Sequence, residues 1–63
     1  MLSFTLNKIQ SVPLSGEGFN KLIDLSPLAN LVQLDLSYNK LKSLKPIEKN
    51  IKLEILYLNN NLL

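Results

Sequence analysis

Leucine and asparagine recur along this chain at fixed spacings that divide its C-terminal half into two copies of one pattern. The pattern is Leu-x-x-Leu-x-Leu-x-x-Asn-x-Leu, and its copies begin 22 residues apart, at Leu31 and at Leu53. Leucine supplies 16 of the 63 residues and asparagine 8, an imbalance that fits a periodic template better than a mixed core. The chain is therefore predicted to consist of stacked copies of one structural unit.

The Leu-x-Leu step of each copy alternates apolar and polar residues with a period of two, which predicts a short β-strand. The leucines expected to point into the interior are Leu34, Leu36, Leu56 and Leu58. Three residues after each step comes Asn39 or Asn61, whose side-chain amide can pair with backbone groups where the strand bends away. These two asparagines are predicted to be structural.

The N-terminal half follows the pattern less regularly. Residues 2–12 match the pattern with Asn7 in the asparagine position. A further partial copy begins at Asn20, which is 19 rather than 22 residues before Asn39, as if three residues were missing. In that register Ser15 and Glu17 occupy the inward positions, and residues 13–18 indicate a turn or loop. We expect one domain with a partial repeat at 2–12, an interrupted repeat at 13–30, a repeat at 31–52 and a partial repeat at 53–63.

The segments between the predicted strands are short and contain Pro27 or Pro46 near their start. Proline suits the first position of a helical turn because its missing N–H would have no partner there. So few residues separate the strands that 3₁₀ turns or irregular structure are expected rather than full helices. The predicted fold is of the α/β class, a short solenoid with parallel β-strands on its concave face and turns or 3₁₀ segments on its convex side.

The amino-acid composition excludes most kinds of catalytic site. The chain has no cysteine and no histidine, which excludes disulfides, thiolate or imidazole metal sites, and Ser-His or Cys-His nucleophile pairs. Its five acidic residues are scattered and form neither a calcium loop nor a carboxylate pair. We predict no catalytic residue, no metal, no cofactor and no small-molecule substrate, and the chain is not expected to be an enzyme.

The charge balance and the hydropathy narrow the choice of partner and location. The net charge of +2 arises from seven lysines against five acidic residues, and the absence of arginine argues against nucleic acid as a partner. Lysines between residues 40 and 52 interleave with apolar residues, as expected of a solvated outer face. No segment approaches the ~20 apolar residues of a membrane span, and no standard export signal is indicated. The absence of cysteine is compatible with a cytoplasmic location, but the compartment stays open.

Residues 24–31, Asp-Leu-Ser-Pro-Leu-Ala-Asn-Leu, and 34–41, Leu-Asp-Leu-Ser-Tyr-Asn-Lys-Leu, resemble leucine-rich repeats of the 22-residue type. Bacterial internalins and the regulatory repeat subunit of the type-one protein phosphatase use this type, and the resemblance covers nearly the whole chain except residues 13–19. It implies a right-handed solenoid that holds partner proteins by the outward side chains of its concave strands. On this sequence those side chains are Gln33, Asp35, Ser37, Tyr38, Ile55, Tyr57, Asn59 and Asn60, with Ser3 and Thr5 in the partial first unit.

Two functional hypotheses follow. The first is a non-catalytic protein-interaction module, in which Tyr38 and Tyr57 are the best contact candidates because tyrosine combines a rigid apolar ring with a hydroxyl. Asp35 beside them could add charge selectivity. The alternative is a structural remnant or self-associating fragment of a longer repeat protein, with no dedicated ligand and with association through bare sheet ends. Concentration-dependent association would favour the second hypothesis.

Overall fold

The computed structural model describes residues 6–63. Three short parallel strands, β1 (Ser11–Pro13), β2 (Gln33–Asp35) and β3 (Ile55–Tyr57), form one sheet in the order β1-β2-β3. A single 3₁₀ turn over Lys45–Ile47 lies between β2 and β3. The predicted solenoid with a parallel sheet on one side and turns on the other is confirmed.

Adjacent strands pair with a constant shift. Val12 lies opposite Leu34, and Leu34 lies opposite Leu56, so each partner is 22 positions further along the chain. Backbone hydrogen bonds repeat at the same interval beyond the strand ends. They run from the N–H of Leu14 to Asp35, Gly16 to Ser37, Leu36 to Tyr57 and Tyr38 to Asn59, at 2.9 to 3.0 Å. The separation between paired residues of adjacent strands therefore equals the 22-residue period of the sequence pattern.

Successive residues in a parallel strand direct their backbone groups to opposite neighbours. In β1 and its extension, the groups bonded to β2 belong to even-numbered residues such as Leu14 and Gly16. On the other side of β2, the carbonyls of Tyr57 and Asn59 accept hydrogen bonds from β2 and its extension. The backbone groups of the odd-numbered residues of β3 are therefore directed toward β2. The odd-numbered residues of β1 and Leu56 of β3 consequently direct their backbone groups away from β2.

The core is a column of leucines behind the sheet. The buried members are Leu25, Leu28, Leu31, Leu34, Leu36 and Leu41. Leu34 and Leu36 are fully buried as predicted, whereas Leu56 and Leu58 of the last unit are half-buried and pack against the same cluster. This gradient arises because a unit in the middle of a stack is covered on both sides and a terminal unit on one.

Tight turns return the chain on the convex side. The N–H of Leu28 donates to the carbonyl of Leu25 at 2.9 Å, and the N–H of Ile47 donates to that of Leu44 at 3.0 Å. The second turn is the 3₁₀ helix, and its proline lies in the first turn, where no N–H is needed. The expectation of 3₁₀ or irregular connections is confirmed.

The first unit differs from the sequence-based assignment. The expected boundary between residues 12 and 13 falls inside β1, and the pairing of Val12 with Leu34 gives an offset of 22 with no missing residues. Val12 and Leu14, rather than Ser15 and Glu17, pack against the core, and the latter two are exposed. The predictions for residues 2–5, including the outward positions Ser3 and Thr5, concern a segment outside the described residues.

The residue at position 17 explains why the sequence pattern did not reveal the first unit. Asn39 and Asn61 mark their units, but the equivalent residue of the first unit is Glu17. The structure needs only the main-chain N–H of this residue, which donates to the side-chain oxygen of Asn39 at 3.1 Å. Because any residue other than proline supplies that donor, the first unit lacks the asparagine that would reveal it in the sequence.

The Asn39 amide joins the first two units. Its Oδ1 accepts hydrogen bonds from the N–H groups of Glu17 at 3.1 Å and Phe19 at 3.0 Å. Its Nδ2 donates to the carbonyls of Leu14, Leu36 and Ser37 at 2.9 to 3.2 Å. Asn61 makes three of these five bonds at the equivalent positions one unit later, and the predicted structural role of both asparagines is confirmed.

Asn50 makes a similar connection on the convex side. It occupies the position equivalent to Leu28, and its Nδ2 donates to the carbonyls of Leu25 at 2.8 Å and Leu28 at 3.2 Å. Its Oδ1 is buried and has no hydrogen-bond partner within residues 6–63. Asn50 therefore joins neighbouring units with fewer hydrogen bonds on the convex side than Asn39 does on the strand side.

Replacing Asn39 with alanine is expected to lower the free energy of unfolding by about 3 kcal/mol or more, because several buried backbone groups lose their partner at once. Urea denaturation followed by circular dichroism measures the change. The matched control is Asn20→Ala at an exposed asparagine, which should shift the free energy by less than about 0.5 kcal/mol. Equal shifts for the two variants would contradict the role given to the Asn39 amide.

Candidate protein-binding face

The outward side chains of the three strands form two rows across the concave face. The register aligns Ser11, Gln33 and Ile55 in one row and Pro13, Asp35 and Tyr57 in the other. The rows change character along the solenoid. They are polar or small at β1 and become apolar and aromatic at β3, where Ile55 is 42% and Tyr57 47% exposed.

Sequence reasoning missed the β1 end of this face. Ser11 and Pro13 are exposed and lie in register with Gln33 and Asp35, although the sequence placed residues 13–18 in a loop. The signal that could have found them was the spacing of 22 residues counted back from Gln33 and Asp35. The missing asparagine at position 17 concealed it.

Two further sets of residues follow the strands at the rim of the face. One set is Ser15, Ser37 and Asn59, and the other is Gly16, Tyr38 and Asn60, each at intervals of 22 residues. Tyr38, Asn59 and Asn60 are exposed, as expected of outward positions. Ser37 differs, because only 5% of its surface is exposed. The prediction that Ser37 offers its side chain to a partner is therefore corrected.

The hydroxyl of Ser37 is used inside the protein. It donates to Oδ1 of Asp35 at 2.6 Å, and the backbone N–H of Ser37 donates to the same oxygen at 3.1 Å. Since the Ser37 proton is committed to the carboxylate, Ser15 acts as the donor in the 3.1 Å bond between the two hydroxyls. The chain of bonds from Ser15 through Ser37 fixes the position of the Asp35 carboxylate.

The electrostatics of Asp35 follow from this chain. The hydrogen bonds from the Ser37 hydroxyl and then from its backbone N–H stabilise the carboxylate and lower the pKa of Asp35 from its ordinary value. Asp35 is the one anionic side chain among the ten outward residues that the resemblance implies. The concave face presents a fixed negative charge beside an apolar end.

Tyr38 has an unusual backbone conformation. Its φ is 57°, in the left-handed region that is disfavoured for residues with a bulky side chain. The equivalent residues are Gly16, with φ 69°, and Asn60, with φ 63°, which are the residue types that adopt this region most readily. The repeat geometry imposes a left-handed residue at this position, and Tyr38 adopts it while its side chain stays 61% exposed.

Neither a metal-binding cluster nor a membrane-spanning helix is present in the described part of the chain. Within residues 6–63 no group of three or more acidic residues is placed to hold a metal ion. The same residues include no helix of the length and hydropathy needed to cross a membrane.

Comparison with known proteins agrees with this geometry. The family described as Leucine Rich repeats (2 copies) matches residues 29–63, which is more than half of the chain. The chain therefore belongs to the leucine-rich repeat family. No curated protein matches it significantly.

Among solved structures, the crystal structure of an internalin, InlF from Listeria monocytogenes strain 4b F2365, matches with a TM-score of 0.87 and 27% sequence identity. The match covers 94% of this chain and 17% of the internalin chain. This chain thus spans about one sixth of the length of the internalin that it resembles.

Tyr38→Asn is expected to raise the free energy of unfolding by about 1 kcal/mol, because asparagine adopts the left-handed region at a lower cost than tyrosine. Urea denaturation of the two proteins measures the change. Tyr57→Asn is the matched control, since it makes the same exchange in the extended backbone of β3 and should lower stability. A fall in stability for both variants would show that φ at residue 38 is not the controlling factor.

Acid is expected to destabilise the fold partly through Asp35. Because its folded pKa is lowered, its contribution is fully present above the unfolded value of about 3.9 and is lost as the pH falls through the folded value. Ser37→Ala removes the main cause of the shift and should flatten the dependence of the unfolding free energy on pH below about 4. Chemical denaturation at a series of pH values tests this, with Ser43→Ala at an exposed serine as control. A slope that is unchanged by Ser37→Ala would contradict the assignment.

Proposed function

We propose that this chain is a non-catalytic protein-interaction module that binds a partner protein through its concave strand face. The observation that carries the proposal is the exposed apolar group formed by Ile55 and Tyr57 on an ordered sheet, with Tyr38 at its rim. Large aromatic residues are enriched where binding energy concentrates, and tyrosine supplies a hydrogen-bonding hydroxyl beside its ring. Leucine-rich repeat proteins use such faces to hold other proteins.

The rigidity of the face supports this role. The backbone ladder and the Asn39 and Asn61 amides fix the strands before any partner arrives. A preordered surface loses little conformational entropy on binding, so more of its contact energy appears as affinity. Tyr38 adds a second argument, because an exposed tyrosine in the left-handed region brings no internal packing that would offset its strain.

The chemistry of the face defines the partner. The apolar group at β3 requires a complementary apolar patch, while Asp35 requires a cation. Within the described residues, both hydrogen bonds to the Asp35 carboxylate from Ser37 go to Oδ1. Its Oδ2 is left for a lysine or arginine of the partner, and a charge-assisted bond there would set the orientation of the complex.

The proposal is tested by site-specific crosslinking. A photoreactive phenylalanine analogue replaces either Tyr57 on the concave face or Lys45 in the convex 3₁₀ turn, and adducts formed in extracts of the source organism are identified by mass spectrometry. Each identified protein is then purified, and its Kd for the wild-type chain and for Tyr57→Ala is measured by calorimetry.

The expected result is a protein that crosslinks from position 57 and not from position 45, and whose Kd rises about tenfold or more with Tyr57→Ala, the loss expected of a contact worth at least ~1.4 kcal/mol. Lys45→Ala should leave the Kd unchanged. Equal crosslinking from both positions, or a Kd insensitive to Tyr57, would argue against the concave face as the binding surface.

A further inference from the structure

Asp35 lies at the centre of the described concave face. It belongs to the middle strand, and the register places Pro13 of β1 on one side of it and Tyr57 of β3 on the other. The chain has seven lysines, but none of them lies in a strand, and Asp35 is the one charged residue of β1, β2 and β3. The charge that a partner meets on these strands is therefore negative and comes from a single carboxylate.

A second aspartate in the same local motif shows what is particular about Asp35. Asp24 and Asp35 are each followed two residues later by a serine whose backbone N–H donates to Oδ1, at 2.9 Å from Ser26 and 3.1 Å from Ser37. Hydrogen bonds from Ser26, and in addition the positive charge of Lys49, lower the pKa of Asp24. The pKa of Asp35 is lowered by hydrogen bonds from Ser37 alone. Neutral donors therefore stabilise the Asp35 carboxylate, and its charge is available to a cation of a partner.

The hydrogen bonds of Asp35 leave a single oxygen for that cation. The Ser37 hydroxyl and backbone N–H donate to Oδ1 at 2.6 and 3.1 Å. A carboxylate oxygen has two lone pairs, so these two bonds occupy both acceptor positions of Oδ1. Arginine owes its advantage at carboxylates to a planar fork that bonds both oxygens at once. With Oδ1 occupied, this two-bond arrangement does not form at Asp35.

Neutral acceptors flank the remaining oxygen in different directions. Gln33 lies two residues before Asp35 on the same face of β2, and Tyr57 lies beside Asp35 on β3. Neighbouring strands are about 4.8 Å apart and alternate residues of one strand about 6.6 Å apart, so both side chains can reach a group bound at Oδ2. The Gln33 carbonyl and the Tyr57 hydroxyl each accept a hydrogen bond. An ammonium directs three N–H groups from one compact centre, which suits three acceptors placed in this way.

We propose that Asp35, Gln33 and Tyr57 form a site for the ammonium group of a lysine side chain of the partner, in preference to an arginine. This inference rests on the proposed function, since it names the group that the concave face selects. Oδ2 of Asp35 accepts one N–H, and Oε1 of Gln33 and the Tyr57 hydroxyl accept the other two. Ile55, which lies beside Gln33 in the register, offers apolar surface to the aliphatic part of the lysine.

The first experiment selects a displayed library of random peptides on the immobilised 63-residue chain and on two variants of it. Asp35→Asn removes the charge of the site. Asp24→Asn is the matched control, because it removes a carboxylate from the same Asp-x-Ser motif outside the three strands. Lysine should be enriched over arginine on the wild-type chain and on Asp24→Asn, and this preference should disappear on Asp35→Asn. Circular dichroism checks that each variant keeps the fold.

The second experiment varies the peptide, so that it tests the site on the wild-type chain whatever the substitutions do to the fold. An enriched peptide with one lysine and an acetylated N-terminus is synthesised with lysine, arginine, norleucine or Nε-dimethyl-lysine at that position. Norleucine lacks the charge and should raise the Kd about tenfold or more. Arginine and dimethyl-lysine keep the charge but do not present three N–H groups from one centre, so each should raise the Kd about threefold or more.

Four results would overturn the proposal. They are an absence of lysine enrichment on the wild-type chain, equal or greater enrichment of arginine, a lysine preference that persists on Asp35→Asn, and a Kd that dimethylation leaves unchanged. Failure of the proposed function looks different, because it concerns crosslinking from position 57. A partner that crosslinks there and binds Asp35→Asn as tightly as the wild-type chain would keep the concave face as the binding surface and remove only the ammonium site.

Discussion

The side-chain amide of Asn39 is the contact on which the rest of this structure depends. Each strand is only three residues long, so the backbone ladder alone offers few bonds to fix the alignment of one unit on the next. A slip of one residue would turn every inward leucine to solvent. The five hydrogen bonds of Asn39 prevent this by joining donors and acceptors on both units. Once the register of one unit on the next is fixed, the leucines stack into the core column and the outward side chains line up across the concave face.

The sequence was sufficient to predict the units that contain this amide. The spacing of leucine and asparagine indicated β2, β3, the inward leucines and the 3₁₀ turn, because each of these requires particular side chains. The first unit was assigned wrongly because its part in the amide network is played by main-chain groups, which any sequence supplies. Pro13 and two glycines also resemble a loop, although an edge strand accepts proline when its nitrogen points away from the neighbouring strand.

The same distinction explains which parts of the candidate face could be predicted. The resemblance to leucine-rich repeats placed Gln33, Asp35, Ile55 and Tyr57 on the concave side, and the alternation of side chains along a strand is the physical reason why these four positions point outward. It failed at Ser37, which lies past the end of β2 and bends back to bond Asp35. The strained φ of Tyr38 was likewise not predicted, although Gly16 and Asn60 at the equivalent positions are residue types that favour a left-handed backbone.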